Sequence, residues 1–485
     1  TGLGLFNFNF TFGASSLDSK IIIEDSNLSA AKDVKLDATG INSVGLSYLE
    51  VGKVLPIGAG ATYAELNSDV SVNVDEGSLV KAKEDFFVSA NSTRSLSAAV
   101  VSGSDKNKLG AGVAIGVSNT KADAIVKSDV YAGGDVSVNA LNTIAKDANG
   151  HYTPDSVSAE SMSGNNFVGK ALIDGIGVLV KKIKNRHTAQ VQNIEQDLPG
   201  LGSGWGLNVS TAVLLSDNDA NAYLSGKVRG FDTSGIAADA VGVKSITVKA
   251  ENVSRTSLEA FAYQNQLTDT NGIVLNSKNT GISLPVLVGI QNNTATAIAG
   301  GDLKVDAISA DDKDAITVEA VTRIPWEWES VPSDLTLMNF ITTTFGATTD
   351  QFLNIGSLSD SWAQGTATVE DVGAAGSVSV MDYTGVADAH IEKNAVIDID
   401  NGDLKVNALN DITTVNFSGN ISSPITMLPW ATWESKKNRF KNDAWGTEAK
   451  GASIGGAAVA AHHKFTAKAY IEDSDVLSSE ITGSV

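Results

Sequence analysis

The sequence predicts an all-β chain folded as a right-handed parallel β-helix, a β-solenoid, with loop and short-helix insertions. Three observations carry this. One short element, polar–apolar–any–apolar–polar–Ala, recurs as "KDVKLDA" (Lys32 to Ala38), "EDFFVSA" (Glu84 to Ala90), "GDVSVNA" (Gly134 to Ala140), "KSITVKA" (Lys244 to Ala250), "GDLKVDA" (Gly301 to Ala307) and "GDLKVNA" (Gly402 to Ala408). Within it apolar residues alternate, so Val136, Val138 and Ala140 share one face, the period of a strand with one side buried. Aromatic residues make up only 6% of the chain, against 46 glycines. Small β-formers and turn formers suit short strands joined by many turns.

The second positions of the recurring element lie at 33, 85, 135, 245, 302 and 403, giving steps of 52, 50, 110, 57 and 101. A repeat of 50 to 57 residues, twice doubled, is the expectation. A second, Gly/Ala-rich element precedes the first: Ile57 to Leu66, Gly110 to Val126, Gly175 to Val191, Pro285 to Gly301 and Gly451 to Ile471. Each module therefore reads as a glycine-rich strand, a polar turn, an "AxAxI/V" strand, a second turn and a "DVxVxA" strand. Coils of roughly 20 to 25 residues would place two in each module, and at about 4.8 Å per coil some 20 coils would make a rod on the order of 100 Å long. A single coil cannot bury its apolar face alone, so the chain must keep supplying the next. A row of β-sandwich domains would need repeats of roughly 80 to 100 residues and larger aromatic anchors.

Residues 1–485 read as one continuous solenoid window of a longer chain. The beginning reads as a strand in progress and "SDVLSSEITGSV" stops inside a repeat, so the expectation is that the rod continues and can self-associate end to end. Three stretches interrupt the repeat: a Gly-rich one at 192–210, a Trp-bearing one at 323–367 and a related one at 422–452. The last two share a plan: Pro325-Trp326 and Pro429-Trp430, then Trp328-Glu329-Ser330 and Trp433-Glu434-Ser435, then Asp360-x-Trp362 and Asp443-x-Trp445. Six of the seven tryptophans sit in them, and Trp205 lies in the Gly-rich interruption. "SDLTLMNFITTTF" within the first has the spacing of a short amphipathic helix. Insertions in repeat folds gather on one side and often bind, so Trp326, Trp328, Trp362, Trp430, Trp433 and Trp445 are the candidate ligand or partner contacts. The alternative is that they only pin each insert to the flank of the rod.

Composition excludes several classes. The formal charge is −21 with only six arginines, which argues against a nucleic-acid partner. There is no cysteine, so disulfides and thiolate metal sites are out, and a chain exported unfolded through an outer-membrane pore gains from that. No run of about 18 apolar residues exists, so no segment is expected to span a membrane. His462 and His463 are adjacent and would face opposite sides of a strand. "GASIG" (Gly451 to Gly455) matches a nucleophile elbow, but Ser453 falls in a repeat strand. "GAGVAIG" (Gly110 to Gly116) lacks the helix a dinucleotide site requires. Asp311-Asp312 and Glu472 to Asp475 are the nearest acid pairs for a β-helical polysaccharide lyase or hydrolase, and both fall in turns. No catalytic set and no cofactor emerges, and a non-enzyme is expected. Calcium in some turns stays an open alternative, though "AGGDLKVDA" (Ala299 to Ala307) lacks the tandem nine-residue spacing of a calcium roll.

"GAGVAIGVSNTKADAIVKSDVYAGGDVSVNA" and "GAAVAAHHKFTAKAYIEDSDV" resemble the repeats of leukotoxin-like filamentous adhesins of Gram-negative anaerobes, and more broadly filamentous-haemagglutinin-type exoproteins. The resemblance covers most of the chain outside the Trp-bearing stretches. It implies secretion through a partner pore or as an autotransporter, an extracellular or cell-surface location, and a β-helical fibre. Its partners would be receptors or glycans on host or neighbouring cells. The expected role is a stalk or filament for attachment or matrix building; a carbohydrate- or receptor-binding segment is the alternative. The family offers no catalytic residue to carry over.

Overall fold

The computed structural model describes residues 7–49, 57–104, 109–148, 150–163, 205–264, 267–268, 274–276, 280–306, 314–325, 361–369, 372–414, 416–418, 443–444, 447–449 and 452–478. Strands, turns and bends make up this part, with no helix among the described residues. The helix expected near Leu335 to Phe345 lies outside them, as do the Gly175 to Val191 strand and Asp311-Asp312.

The chain makes repeated circuits. The first is β1 (Asn7–Ile23), β2 (Asn27–Ala30) and β3 (Val34–Leu49). The second is β4 (Ile57–Val74), β5 (Leu79–Ala82) and β6 (Phe86–Ser104). The third is β7 (Leu109–Val126), β8 (Asp129–Ala132), β9 (Asp135–Ile144) and β10 (Asp155–Ser163). The fourth is β11 (Trp205–Leu224), β12 (Lys227–Phe231), a short β13 (Ala237–Ala238), β14 (Ser245–Val253) and β15 (Thr256–Gln264). A small hairpin follows, β16 (Leu267–Thr268) with β17 (Val274–Asn276). The fifth is β18 (Thr280–Ala299), β19 (Asp302–Asp306), β20 (Asp314–Ile324) and β21 (Ser361–Val369). The sixth is β22 (Val372–Ile391), β23 (Val396–Asn401), β24 (Asp403–Ile412), β25 (Asn416–Ser418), β26 (Asp443–Ala444) and β27 (Thr447–Ala449). The seventh is β28 (Ala452–Ile471) and β29 (Asp475–Ser478).

Corresponding strands of successive circuits pair in parallel and build three sheets. A long sheet runs β1-β4-β7-β11-β18-β22-β28, and a short one β2-β5-β8-β12-β19-β23-β29. The third contains β3, β6, β9, β14, β20 and β24 on one side, and continues through β10, β15, β21 and β27 on the other. Strand β6 shows why: Phe86 to Arg94 pair with β9 and Ser97 to Ser104 with β10, so β9 and β10 are two halves of one course. A break lies between the halves.

One module is thus one circuit, not two. Val34, Phe86 and Val136 are in register at steps of 52 and 50 residues (86 − 34 and 136 − 86). The 110-residue step from Asp135 to Ser245 is also a single circuit, since the two are paired neighbours. Seven strands at about 4.8 Å give a stack roughly 30 Å high, while an 18-residue strand runs roughly 60 Å, a slab rather than the thin rod expected. The expected polar turn inside each long strand is the source of the difference. "SNTK" (Ser118 to Lys121) does not turn; it stays within β7, and Ser118 and Thr120 point inward. A second reassignment follows: "GDLKVDA" lies in the short sheet as β19, whereas Ile316 of β20 occupies the position of Ile246 and Leu404 in the third sheet.

Of those inward polar residues, Thr120 meets partners, its Oγ1 donating to Asn218 Oδ1 at 2.7 Å, whereas the Ser118 hydroxyl is buried without one. Two apolar clusters fill the interior. One, around Val72, Val80, Val88, Val138 and Val248, adjoins the short sheet. The other contains Leu66, Leu96, Val157, Leu214 and Leu258. Between them runs a polar seam. Third-sheet residues Ser92, Asn142, Asn252, Thr322 and Asn410 form one column by register. It faces Ser68, Thr120, Asn218 and Asn293 of the long sheet. Asn142 Nδ2 donates to the Thr120 carbonyl at 2.9 Å and the Asp219 carbonyl at 3.0 Å. One circuit on, Asn252 Nδ2 donates to the Asn218 and Thr294 carbonyls, and Asn218 Nδ2 to Asn293 Oδ1 at 3.2 Å. Thr322 Oγ1 donates to Asn410 Oδ1. A buried polar group without a partner costs roughly 1–3 kcal/mol, so these bonds are what keep a polar strip inside. Asn252→Ala should therefore cost about 2 kcal/mol, read as a lower urea midpoint at constant slope.

The glycine-rich strands place glycine inward, where the long sheet comes close to the third. A Cβ at Gly60 would lie 2.4 Å from Tyr48 Cε1, and one at Gly116 would lie 2.7 Å from both Leu96 Cδ2 and Val157 Cγ2. The alternate, larger residues of these strands consequently face outward.

Candidate binding surface

Glycine inward and bulk outward gives the long sheet an unusual exterior. The outward residues of its first four rows are almost all apolar. Phe12, Tyr63, Ile115, Val213, Val288 and Val380 form one row across the strands. Phe10, Ala61, Val113, Thr211, Val286 and Val378 form the next. Beyond them lie Phe8, Ala59, Ala111, Val209 and Leu284, then Leu109, Leu207, Ile282, Ala374 and Ile454. In these rows only Thr211 and the Tyr63 hydroxyl are polar, and the latter bonds Glu65 Oε2 at 3.0 Å. Phe8, Phe10 and Phe12 are 68%, 59% and 60% exposed, and Ile454 70%; most of the others are half-buried against their row neighbours. Phe12 and Tyr63 stack at 5.3 Å between ring centroids.

The second half of the same exterior is polar and net acidic. Asn67, Asn119, Asp217 and Asn292 start it, in one row by register. Lys20 pairs with Asp69 at 2.5 Å and Lys121 with Asp123 at 2.6 Å, while Asn221 Nδ2 donates to Asp123 Oδ1 at 2.8 Å. Partial burial pushes the Asp219 carboxyl up. His390 bonds Asp388 Oδ1 at 2.7 Å and stacks on Tyr470 at 4.7 Å.

Charged groups elsewhere hold the fold. Arg94 is fully buried beside the seam: its Nε donates to Asp155 Oδ2 at 3.0 Å and its Nη1 to Asn142 Oδ1 at 3.0 Å. Asp155 Oδ1 accepts the Leu96 N–H at 2.9 Å. Burial pulls the guanidinium down and pushes the carboxyl up, and each charge opposes the shift of the other. On the short sheet Arg229 pairs with Asp302 at 2.5 Å and donates to the Asp239 carbonyl at 2.9 Å, clamping the 232–242 loop over that face. Lys304 sits 2.6 Å from Asp398, whose carboxylate holds the ammonium above its ordinary range.

The residues singled out from sequence are placed as follows. Trp362 lies in β21, in register with Glu259 and Phe417, so the final part of the first Trp-bearing stretch is strand. Trp205 opens β11, so 205–210 of the Gly-rich interruption is strand as well. Trp326, Trp328, Trp430, Trp433 and Trp445 lie outside the described residues. The flanks of the two Trp-bearing stretches are nonetheless neighbours: Ile324 pairs with Ile412 and Ser361 with Asn416. His462 and His463 face opposite sides of β28, His462 bonding Asp382 Oδ1 at 2.9 Å and His463 stacking with Phe465 at 5.7 Å. Ser453 is an ordinary strand residue opposite Gly373, and Gly110 to Gly116 an ordinary length of β7. Glu472 to Asp475 form the corner between β28 and β29. Among the described residues no group of three or more His, Cys, Asp or Glu is placed to hold a metal ion. No helix among them is long and apolar enough to cross a membrane.

No family model, no curated protein and no solved structure matches this chain.

Proposed function

We propose that the chain is a right-handed β-solenoid segment of a large extracellular adhesin or fibre. In this reading it acts without catalysis, as a stalk or filament at a bacterial cell surface. The observation that carries it is the unbroken register of the long sheet. Seven parallel strands add one circuit after another, and the positions inward and outward keep their character from circuit to circuit. Such a lattice suits repetition and span. Arg94 and Asp155 clamp the interior, and Arg229 with Asp302 holds the 232–242 loop. The likeness of the repeats to leukotoxin-like and filamentous-haemagglutinin-like adhesins supports the same role, with receptors or glycans of host or neighbouring cells as partners and an outer-membrane pore as the export route.

A second reading has its own observation. The two Trp-bearing stretches leave adjacent circuits near the same break in the third sheet, where Ile324 pairs with Ile412 and Ser361 with Asn416. A patch of paired aromatic insertions suits a glycan or protein ligand. Replacing residues 326–360 and 420–442 by short Gly-Ser linkers separates the two. Retained β-type circular dichroism with unchanged cell attachment supports the stalk. Retained dichroism with attachment lost assigns binding to the insertions. Turnover of a polysaccharide by the purified chain, abolished by mutating one acidic pair, overturns both.

A further inference from the structure

From the exterior of the long sheet we propose a lateral interface: a second copy of this chain docks there, face to face, with the two slabs stacked in the same direction. This is independent of any adhesive role. Four apolar rows at about 7 Å, each crossing five or six strands at about 4.8 Å, make a patch of roughly 750 Å². The largest apolar patch on an ordinary monomer is about 300–600 Å². A standard protein–protein interface needs roughly 800 Å² from each side. Two sheets also pack face to face at about 10 Å separation.

Charge selects the occupant and its orientation. The four apolar rows carry no charged side chain; the next row mixes Val117, Leu215 and Ile290 with Glu65 and Asp382, and the face is polar from Asn119, Asp217 and Asn292 onward. From that line onward the face is net acidic, six aspartates against four lysines by register, on a chain of net charge −21, which opposes docking on an anionic lipid surface. Two copies can overlay their apolar halves about a two-fold axis in either of two directions. An axis along the strands would set the acidic halves against each other. An axis along the stacking direction, through the middle of the apolar half, sends them to opposite sides. The second arrangement matches each circuit with the same circuit of the partner.

The test uses the 485-residue chain, whose lack of cysteine makes a single introduced thiol unique. Sedimentation across micromolar concentrations should show a dimer that persists in high salt. Val113→Glu with Val286→Glu, both outward in the middle of the patch, should weaken it by about 100-fold or more with the dichroism unchanged. Thr296→Glu, on the polar half of the same sheet, should leave it intact. Ala61→Cys should be captured with its own counterpart by a short thiol-specific cross-linker, because the second circuit meets the second circuit. A monomer at every concentration, or a dimer indifferent to the two glutamates, overturns the proposal. So does a dimer in which Ala61→Cys couples only to Val378→Cys, the sixth circuit. Binding to phosphatidylcholine vesicles that is abolished by the glutamates, with no dimer in solution, assigns the face to lipid and also overturns it.

Discussion

Arg94→Met is expected to lower stability by about 3–5 kcal/mol, the usual cost of stranding one member of a buried ion pair. The guanidinium is fully buried at the break between β9 and β10 and serves three acceptors: Asp155, Asn142 and the Val253 carbonyl at 3.4 Å. Removing it leaves the Asp155 carboxylate in a dry interior with only the Leu96 N–H. Asn142 simultaneously loses one donor to its side-chain oxygen. The companion variant Arg94→Met/Asp155→Asn should recover half or more of the loss, since the amide oxygen still accepts from Leu96 and no charge remains. Urea unfolding monitored by dichroism measures both. A single-variant cost below about 1 kcal/mol would show that the pair does not secure the break.

Gly301→Ala should cost about 3 kcal/mol or more. Gly301 turns the chain from the long sheet into the short one at φ +78°, a region an L-residue enters only under strain. A Cβ there would lie 2.2 Å from the carbonyl oxygen of Gly226, the equivalent corner of the previous circuit. That obstacle is backbone, and the same carbonyl accepts the Asp302 N–H at 2.9 Å, so it cannot swing aside without breaking a corner hydrogen bond. Thermal unfolding should show the loss, and hydrogen exchange should localise it to the amides of Gly300 and Asp302. Gly45→Ala is the control: no atom lies within 4 Å of its Cβ position, and the change should be within about 0.5 kcal/mol of neutral.

The interior rows were legible in the sequence where burial is simplest. Val136, Val138 and Ala140 alternate with Ser137 and Asn139, and the structure stacks them on Phe86, Val88 and Ala90. The circuit length was not legible, because a polar tetrapeptide such as "SNTK" has the composition of a turn. Only the facing asparagines, distant in sequence, reveal it as strand. The confusion over "GDLKVDA" has a similar cause: both the short and the third sheet need the same alternation, and a pattern does not say which side of the slab it lines. The apolar exterior was concealed by inversion. In "GAGVAIG" the bulky Val113 and Ile115 face out and the glycines face in, opposite to the usual reading of a half-buried strand. The available signal was glycine at alternate positions, which asks what large side chain lies opposite; Leu96 and Val157 are the answer at Gly116. Five of the six candidate tryptophans fall in sequence outside the repeat, where periodicity carries no information; Trp362 alone falls in a strand of the third sheet.

A circuit of about 50 residues, the length of the first two, adds only about 4.8 Å of height, yet released as extended chain it would span about 170 Å. Tension applied along the stacking direction is carried by all the ladder hydrogen bonds of a circuit together, since these point along that axis. Tension that peels one terminal strand breaks them one after another. A slab of this design should thus resist axial pull stiffly and then yield in discrete lengths, one circuit at a time. Each yield would lengthen the tether more than thirty-fold relative to the height lost, while the remaining circuits hold their register. Anchored in a surface fibre, such a segment would work as a mechanical fuse that lengthens under drag before the anchorage fails.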